Sequence, residues 1–278
     1  MNKDFHHHFI PEVLKDYVAD LPEWSVQSSL EYMDANGIEK AVLSLSNYEL
    51  DIPSRSEYVD FCKAVNSELL AIVRENPGRF EGFALLPFPH IPECVGEIAR
   101  CKAQGFAGFT LYSNVNGVYP AAPKHADLFK ALDESGLPVF VHPAATPTDG
   151  GAWEKAYSEF VEYPQEVARL LSRWLCEDLF RAYPKLRIIL SHGGGSYPFQ
   201  YPRLGKLPYV KPVGDLLKLR WGRIIRDMKR KRTLIEDYTE RMLFDLYDAD
   251  APGQLAALRE IAREEQMVRG TNFPYLGA

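Results

Sequence analysis

The stretch that decides the fold is residues 4–11, Asp4-Phe5-His6-His7-His8-Phe9-Ile10-Pro11. We predict a strand that ends at His8. Because strand side chains alternate between faces, His6 and His8 should point one way and His7 the other. Two imidazoles side by side at a strand end make half of a site for a borderline metal such as zinc. The alternative is a histidine-rich tail or a cloning remnant, but a tag is usually longer and flanked by linker residues.

Similar short apolar runs recur along the chain and alternate with longer segments of helical periodicity. The predicted strands are Asp4 to His8, Lys40 to Leu45, Phe80 to Leu86, Gly108 to Tyr112, Pro138 to His142, Arg187 to His192, Met242 to Leu246 and Met267 to Thr271. The predicted helices are Ser25 to Asn36, Glu57 to Glu75, Pro92 to Gln104, Lys124 to Ser135, Gln165 to Tyr183 and Pro252 to Glu264. This alternation predicts a (β/α)8 TIM barrel, with residues 1–278 as a single domain.

The last predicted strand is followed closely by Ala278, so the barrel is expected to lack its last closing helix. Without that helix, a groove beside the first and eighth strands would expose apolar surface. A partner chain, a compensating segment or truncation of the sequence would each account for it.

Composition excludes several classes of protein. A net charge of −6 gives no general attraction to nucleic acid or to an anionic membrane surface. No apolar run approaches the length needed to cross a bilayer. The four cysteines form no CxxC pair and the amino terminus does not resemble a signal peptide, which favours a cytoplasmic protein with reduced thiols.

Four of the seven histidines fall at the carboxyl ends of predicted strands. His6 and His8 end the first strand, His142 ends the fifth and His192 ends the sixth. Because active sites of such barrels lie at the carboxyl ends of the strands, these side chains are expected to converge. A lone histidine at a strand end is usually structural, but four placed at one end of a barrel point to a site.

Several segments resemble the amidohydrolase-related family that includes aminocarboxymuconate-semialdehyde decarboxylase and the resorcylate-type decarboxylases. They are Asp4-Phe5-His6-His7-His8, Leu111-Tyr112-Ser113-Asn114, Gly117-Val118-Tyr119, Phe140-Val141-His142-Pro143, Leu190-Ser191-His192-Gly193-Gly194-Gly195 and Gly270-Thr271-Asn272-Phe273-Pro274. The resemblance implies a metal-dependent barrel in which His6, His8 and His142 bind Zn²⁺ or another divalent first-row metal. It also implies that His192 performs acid/base chemistry beside the metal.

Asn272 departs from the family pattern, which usually has an aspartate that ligates the metal and steers its bound water. An amide oxygen can still coordinate, so Asn272 is expected to be a weak fourth ligand, but it brings no charge and cannot accept a proton. Asp245 and Asp248 are the nearby carboxylates. Either one could replace the missing ligand, although a structural strand-end aspartate is the more common case.

The leading hypothesis is a metal-dependent carboxy-lyase that acts on a small, anionic, aromatic or unsaturated carboxylic acid. Tyr112, Asn114 and Asn47 follow strands and are candidate substrate-binding residues, although exposed loop polarity would also explain them. One alternative is a metal-dependent hydrolase of an amide or lactone. Another is a degenerate, non-catalytic barrel that has lost the strand-eight aspartate. Family members commonly form dimers, so the resemblance also points to a homodimer.

Overall fold

The computed structural model describes residues 2–48, 50, 52, 54–145, 158–206 and 235–275. Within these ranges eight parallel strands form one sheet in which each strand pairs with the next in the sequence. The strands are β1 (Lys3–His8), β2 (Lys40–Ser44), β3 (Phe80–Leu85), β4 (Gly108–Tyr112), β5 (Val139–His142), β6 (Ile188–Leu190), β7 (Met242–Asp245) and β8 (Met267–Val268). Parallel bridges from Asp4 to Arg269 and from His7 to Phe273 join β1 to β8. The predicted (β/α)8 barrel is confirmed.

Helices lie between the strands, and several begin and end where the sequence predicts. The helices are α1 (Val26–Ala35), α2 (Arg55–Glu75), α3 (Ile91–Gln104), α4 (Ala126–Ser135), α5 (Tyr163–Cys176), α6 (Leu179–Ala182), α7 (Tyr197–Leu204), α8 (Ile235–Thr239) and α9 (Pro252–Arg259). Ser25 caps α1 by accepting a hydrogen bond from the Ser28 amide. The single helix predicted from Gln165 to Tyr183 is instead two helices, since Asp178 between them adopts a left-handed conformation with φ 56°.

A β-bulge in β1 sets the direction of its side chains. The pairing with β2 shifts between Asp4 and His7, where one extra residue is accommodated on β1. Such a bulge kinks the strand and re-aims the side chains around it. Phe5 therefore packs into the barrel interior. His6 contacts the interior residue Phe140, with the ring centroids 5.1 Å apart.

The interior of the barrel below the histidines is apolar. Val42, Phe83, Phe140 and Ile189 form a buried cluster there, and each comes from a different strand. Phe140 lies two residues before His142 on β5. Because alternate residues of a strand share a face, a strand that buries Phe140 in the core also directs His142 toward the interior at the carboxyl end of the barrel.

The seam between β1 and β8 is packed without a closing helix in the described residues 269–275. Phe273 stacks on Tyr32 of α1, with ring centroids 4.5 Å apart, and is 8% exposed. The expected apolar groove is therefore filled, at this point, by the segment that follows β8. Ala278 lies outside the described residues. Among the helices in the described ranges, none combines the length and the apolarity that crossing a bilayer requires.

Candidate metal centre and active site

Three histidines from two strands converge at the carboxyl ends of the barrel strands. His6 and His8 come from β1 and His142 ends β5, and all three are at most 3% exposed. Their ligand atoms lie within 4.8 Å of one another. The Nε2 atoms of His6 and His8 are 3.0 Å apart. His7 points away to the other side of β1, as the alternation predicts, and its ring contacts Asp4 and Ser29.

The other ring nitrogen of each histidine already has an acceptor. His8 Nδ1 lies 3.1 Å from the carbonyl oxygen of Ser44, and His142 Nδ1 lies 2.8 Å from that of Pro143. His6 Nδ1 lies 2.9 Å from Asp245 Oδ2. Carbonyl and carboxylate oxygens only accept, so each Nδ1 carries a hydrogen, and Nε2 is the nitrogen that has the lone pair in the neutral ring. This is the arrangement in which metal-binding histidines are held.

The protonation states suit a cation. Burial lowers the pKa of His8 well below its usual value, and the neighbouring His6 and His142 lower it further. Burial, followed by repulsion from His6 and His192, lowers the pKa of His142 in the same way. Both rings are therefore neutral at pH 7, as metal ligation requires. The Nε2 atoms of His6 and His8 are 3.0 Å apart, close enough to share a proton or a bound cation. The donor set fits a first-row divalent metal.

His192 lies beside this cluster but not in β6, where the sequence placed it. It begins a short 3-10 turn two residues beyond β6 and has a left-handed backbone, with φ 52°. Its ring centroid is 5.5 Å from that of His6. Burial, then repulsion from His6, lowers the pKa of His192 to about 4. The side chain is neutral at pH 7 and lies next to the three-histidine cluster.

Asn272 lies near the same cluster, after β8. Its backbone amide donates to the His6 carbonyl oxygen at 2.7 Å, and its side-chain amide donates to the Tyr275 carbonyl oxygen at 3.2 Å. Because the side-chain nitrogen of Asn272 makes this hydrogen bond, the side-chain oxygen is the atom that could bind a metal. Ligation by Asn272 stays a prediction.

Asp245 and Asp248 have different surroundings. Asp245 ends β7 and is fully buried against His6. It contacts His6 through Nδ1 and not through the Nε2 that faces His8, so it supports a candidate ligand instead of adding another. Asp248 is exposed and has φ 50°. The sequence identified Asp245 as a nearby carboxylate but did not indicate that it contacts His6.

The three candidate substrate-binding residues differ in the hydrogen bonds that their polar groups make within the protein. The Tyr112 hydroxyl donates to the Ser46 carbonyl oxygen at 2.9 Å, and its ring is 6.1 Å from that of His142. The Asn114 side chain donates to Glu166 at 3.1 Å and accepts from the Gly117 amide at 3.0 Å. Asn47 is half-buried in the loop after β2. Substrate contact by these residues stays a prediction.

Two tyrosines that sequence reasoning missed also border the cluster. The Tyr247 ring lies 5.7 Å from His6 and 5.5 Å from His192, measured between centroids. The Tyr275 ring lies 5.6 Å from His8, and its buried hydroxyl has no hydrogen-bond partner among the described residues. The signal that could have found them is their position shortly after β7 and β8, where barrel loops form the site.

Comparisons with known proteins agree with this geometry. Residues 4–277 match the amidohydrolase family model. The decarboxylase macB of Penicillium terrestre is 31% identical over 233 residues, which cover 75% of this chain and 68% of that protein. The γ-resorcylate decarboxylase of Rhizobium radiobacter is 28% identical over 227 residues, covering 71% and 68%.

A solved structure has the same fold. It is a dihydroxybenzoic acid decarboxylase from Polaromonas sp. JS666 with bound manganese and the inhibitor 2-nitroresorcinol. It superposes with a TM-score of 0.77 at 20% identity, and the match covers 99% of this chain and 88% of that one.

Proposed function

This chain belongs to the amidohydrolase family, and from that membership we propose that it is a metal-dependent decarboxylase of small aromatic or unsaturated carboxylic acids. The observation that carries the proposal is the group of three buried imidazoles, each held through Nδ1, beside a fourth histidine. Relatives named as decarboxylases, one of them 31% identical, support the lyase assignment.

In this proposal His6, His8 and His142 hold the metal, and the amide oxygen of Asn272 is a weak fourth ligand. A bound cation would act as a Lewis acid toward substrate oxygens. Our expectation is Zn²⁺, which suits three imidazole ligands. The fold neighbour with bound manganese makes Mn²⁺ the first alternative to test.

His192 is the proposed acid/base group. Its pKa of about 4 makes it neutral in the free protein at pH 7. An anionic substrate nearby would favour the imidazolium form, because an opposite charge stabilises a charged group. Substrate binding would therefore help His192 to take up a proton, which it could deliver to the carbon that loses the carboxylate.

Asn272 favours decarboxylation over hydrolysis. Hydrolysis of an amide or lactone needs a group that accepts the proton of the attacking water, and an amide side chain cannot do so. Decarboxylation needs proton delivery to carbon, for which His192 suffices. The aromatic rings of Tyr247 and Tyr275 beside the cluster suit a planar substrate. The Tyr275 hydroxyl, which no other described residue engages, suits one that carries an oxygen.

The test measures carbon dioxide release and amide or lactone hydrolysis separately, using protein loaded with Zn²⁺ or Mn²⁺. The acid panel includes γ-resorcylate, the substrate in the name of the Rhizobium radiobacter relative. Carbon dioxide release that requires metal supports the proposal. Hydrolysis without carbon dioxide release would replace it with the hydrolase alternative. Protein that binds less than about a tenth of an equivalent of either metal would indicate a degenerate barrel, because an intact three-imidazole site should bind these ions.

Two further expectations belong to this proposal. Cys62, Cys94 and Cys101 are buried thiols without a disulfide, which suits a reducing compartment such as the cytoplasm. A homodimer stays a prediction from the family, to be tested by light scattering.

A further inference from the structure

Asp245 is held on both sides of its carboxylate. Oδ2 accepts from His6 Nδ1 at 2.9 Å and Oδ1 accepts from the Tyr247 amide at 2.9 Å. The side chains of Asp245 and His6 are both 0% exposed. A buried carboxylate with two donors in place has a defined position and little freedom to move.

Gly270 leaves the space that this pair occupies. A Cβ atom at Gly270 would lie 2.3 Å from Asp245 Oδ1 and 2.9 Å from His6 Cβ. Non-bonded atoms do not come this close in real proteins, so a side chain at position 270 would displace Asp245 or His6. The glycine of the Gly270-Thr271-Asn272 segment therefore permits the contact between the carboxylate and the imidazole.

The charge of this contact distinguishes His6 from the other two candidate ligands. His8 and His142 donate to the neutral carbonyl oxygens of Ser44 and Pro143. Asn272 is also neutral. Among the hydrogen bonds of the described residues, the one that Asp245 accepts from His6 is the only one that joins a carboxylate to a ring of the three-histidine cluster.

We propose that Asp245 is a positioning residue whose carboxylate, acting through His6, supplies the negative charge that the Asn272 amide does not bring to the metal centre. The inference rests on the proposed metal site. A carboxylate hydrogen-bonded to Nδ1 makes Nε2 of the imidazole a stronger electron-pair donor to a metal and fixes the orientation of the ring. It also offsets part of the charge of the dication.

The test is a double-mutant cycle of four proteins: the unmodified chain, Asp245→Asn, Asn272→Asp and the double variant. The affinity for Zn²⁺ is measured by competition with a chromophoric chelator, and the visible spectrum of the Co²⁺ form reports the coordination. We expect Asp245→Asn to weaken binding by about 10–100-fold. Asn272→Asp should tighten binding, and in that background Asp245→Asn should cost much less, because a ligating carboxylate already provides the charge.

Equal losses of affinity in the two backgrounds would overturn the inference, since they would assign Asp245 a structural role alone. An affinity unchanged by Asp245→Asn would also overturn it. Failure of the unmodified chain to bind Zn²⁺ or Mn²⁺ would instead refute the proposed metal site, so the two failures are distinguishable.

Two further variants serve as controls for the experiment. Asp250→Asn removes an exposed carboxylate from the same loop and should leave the affinity unchanged. Gly270→Ala keeps every charge but crowds Asp245, and it should weaken Zn²⁺ binding if the contact with His6 matters. If Asp245→Asn does not fold, as judged by circular dichroism, Gly270→Ala carries the test, and an unchanged affinity in that variant would refute the proposal.

Discussion

The Thr271 hydroxyl donates to Asp4 Oδ2 at 2.6 Å, across the seam where the first and last strands of the barrel meet. The same carboxylate accepts from the His6 backbone amide at 3.1 Å and lies 3.0 Å from His7 Nδ1. Thr271 is bonded in the chain to Asn272. One buried carboxylate thus connects the strand that carries His6 and His8 to the segment that carries the proposed fourth ligand.

Thr271→Val should destabilise this seam. The substitution keeps the volume but removes the donor, and a buried acceptor that loses a donor costs about 1–3 kcal/mol. Urea unfolding followed by circular dichroism measures the change in the free energy of unfolding. Thr271→Ser keeps the hydroxyl and is the matched control. A loss of stability in Thr271→Ser with none in Thr271→Val would mean that the methyl group, and not the hydrogen bond, provides the stability.

His8→Ala should abolish metal binding. It removes one of three candidate ligands, so the loss should exceed the roughly 10–100-fold effect of removing a partner that only orients a ligand. Elemental analysis after dialysis against Zn²⁺ measures the bound metal. His90→Ala is the control, because His90 lies at the N-terminal end of α3, makes no capping hydrogen bond through its side chain and is not part of the three-histidine cluster. Metal bound stoichiometrically by His8→Ala would show that the site lies elsewhere.

The fold and the convergence of His6, His8 and His142 followed from the sequence for a physical reason. Apolar strands that end in histidine, such as Val139-Phe140-Val141-His142, encode both burial and position within a barrel strand. The contact of Asp245 with His6 could not be predicted, since it joins residues 239 positions apart and depends on the bulge in β1. His192 was placed at the end of β6, but Gly193 and Gly194, which also have positive φ angles, continue a turn there.

His192→Asn should remove activity while leaving the metal site intact. Asparagine tolerates the left-handed conformation of this position, where φ is 52°, better than most residues. Loss of a general acid typically lowers kcat by about 10²–10⁴-fold. Steady-state carbon dioxide release gives kcat, and elemental analysis gives the metal content of the same sample. A variant that loses metal and activity together would reassign His192 as a ligand.

Glu97 should make stability depend on pH, away from the site. It is 4% exposed and accepts from Asn66 Nδ2 at 2.6 Å and from Arg100 Nε at 2.8 Å. Burial alone would raise the pKa of Glu97, but the hydrogen bonds from Arg100 and Asn66 outweigh it and lower the pKa below its usual value.

A lowered pKa in the folded state stabilises the protein above the unfolded value of about 4.3, and this stability disappears as the pH falls toward the folded value. Glu97→Gln should therefore cost about 1–3 kcal/mol at pH 7. The difference from the unmodified chain should shrink as the pH falls below about 4. Urea unfolding at several pH values measures it. Glu93→Gln, which removes the half-buried partner of the exposed Arg55, is the control and should change stability less. A Glu97→Gln deficit that stays constant down to pH 3 would mean that the carboxylate contributes through packing and not through its charge.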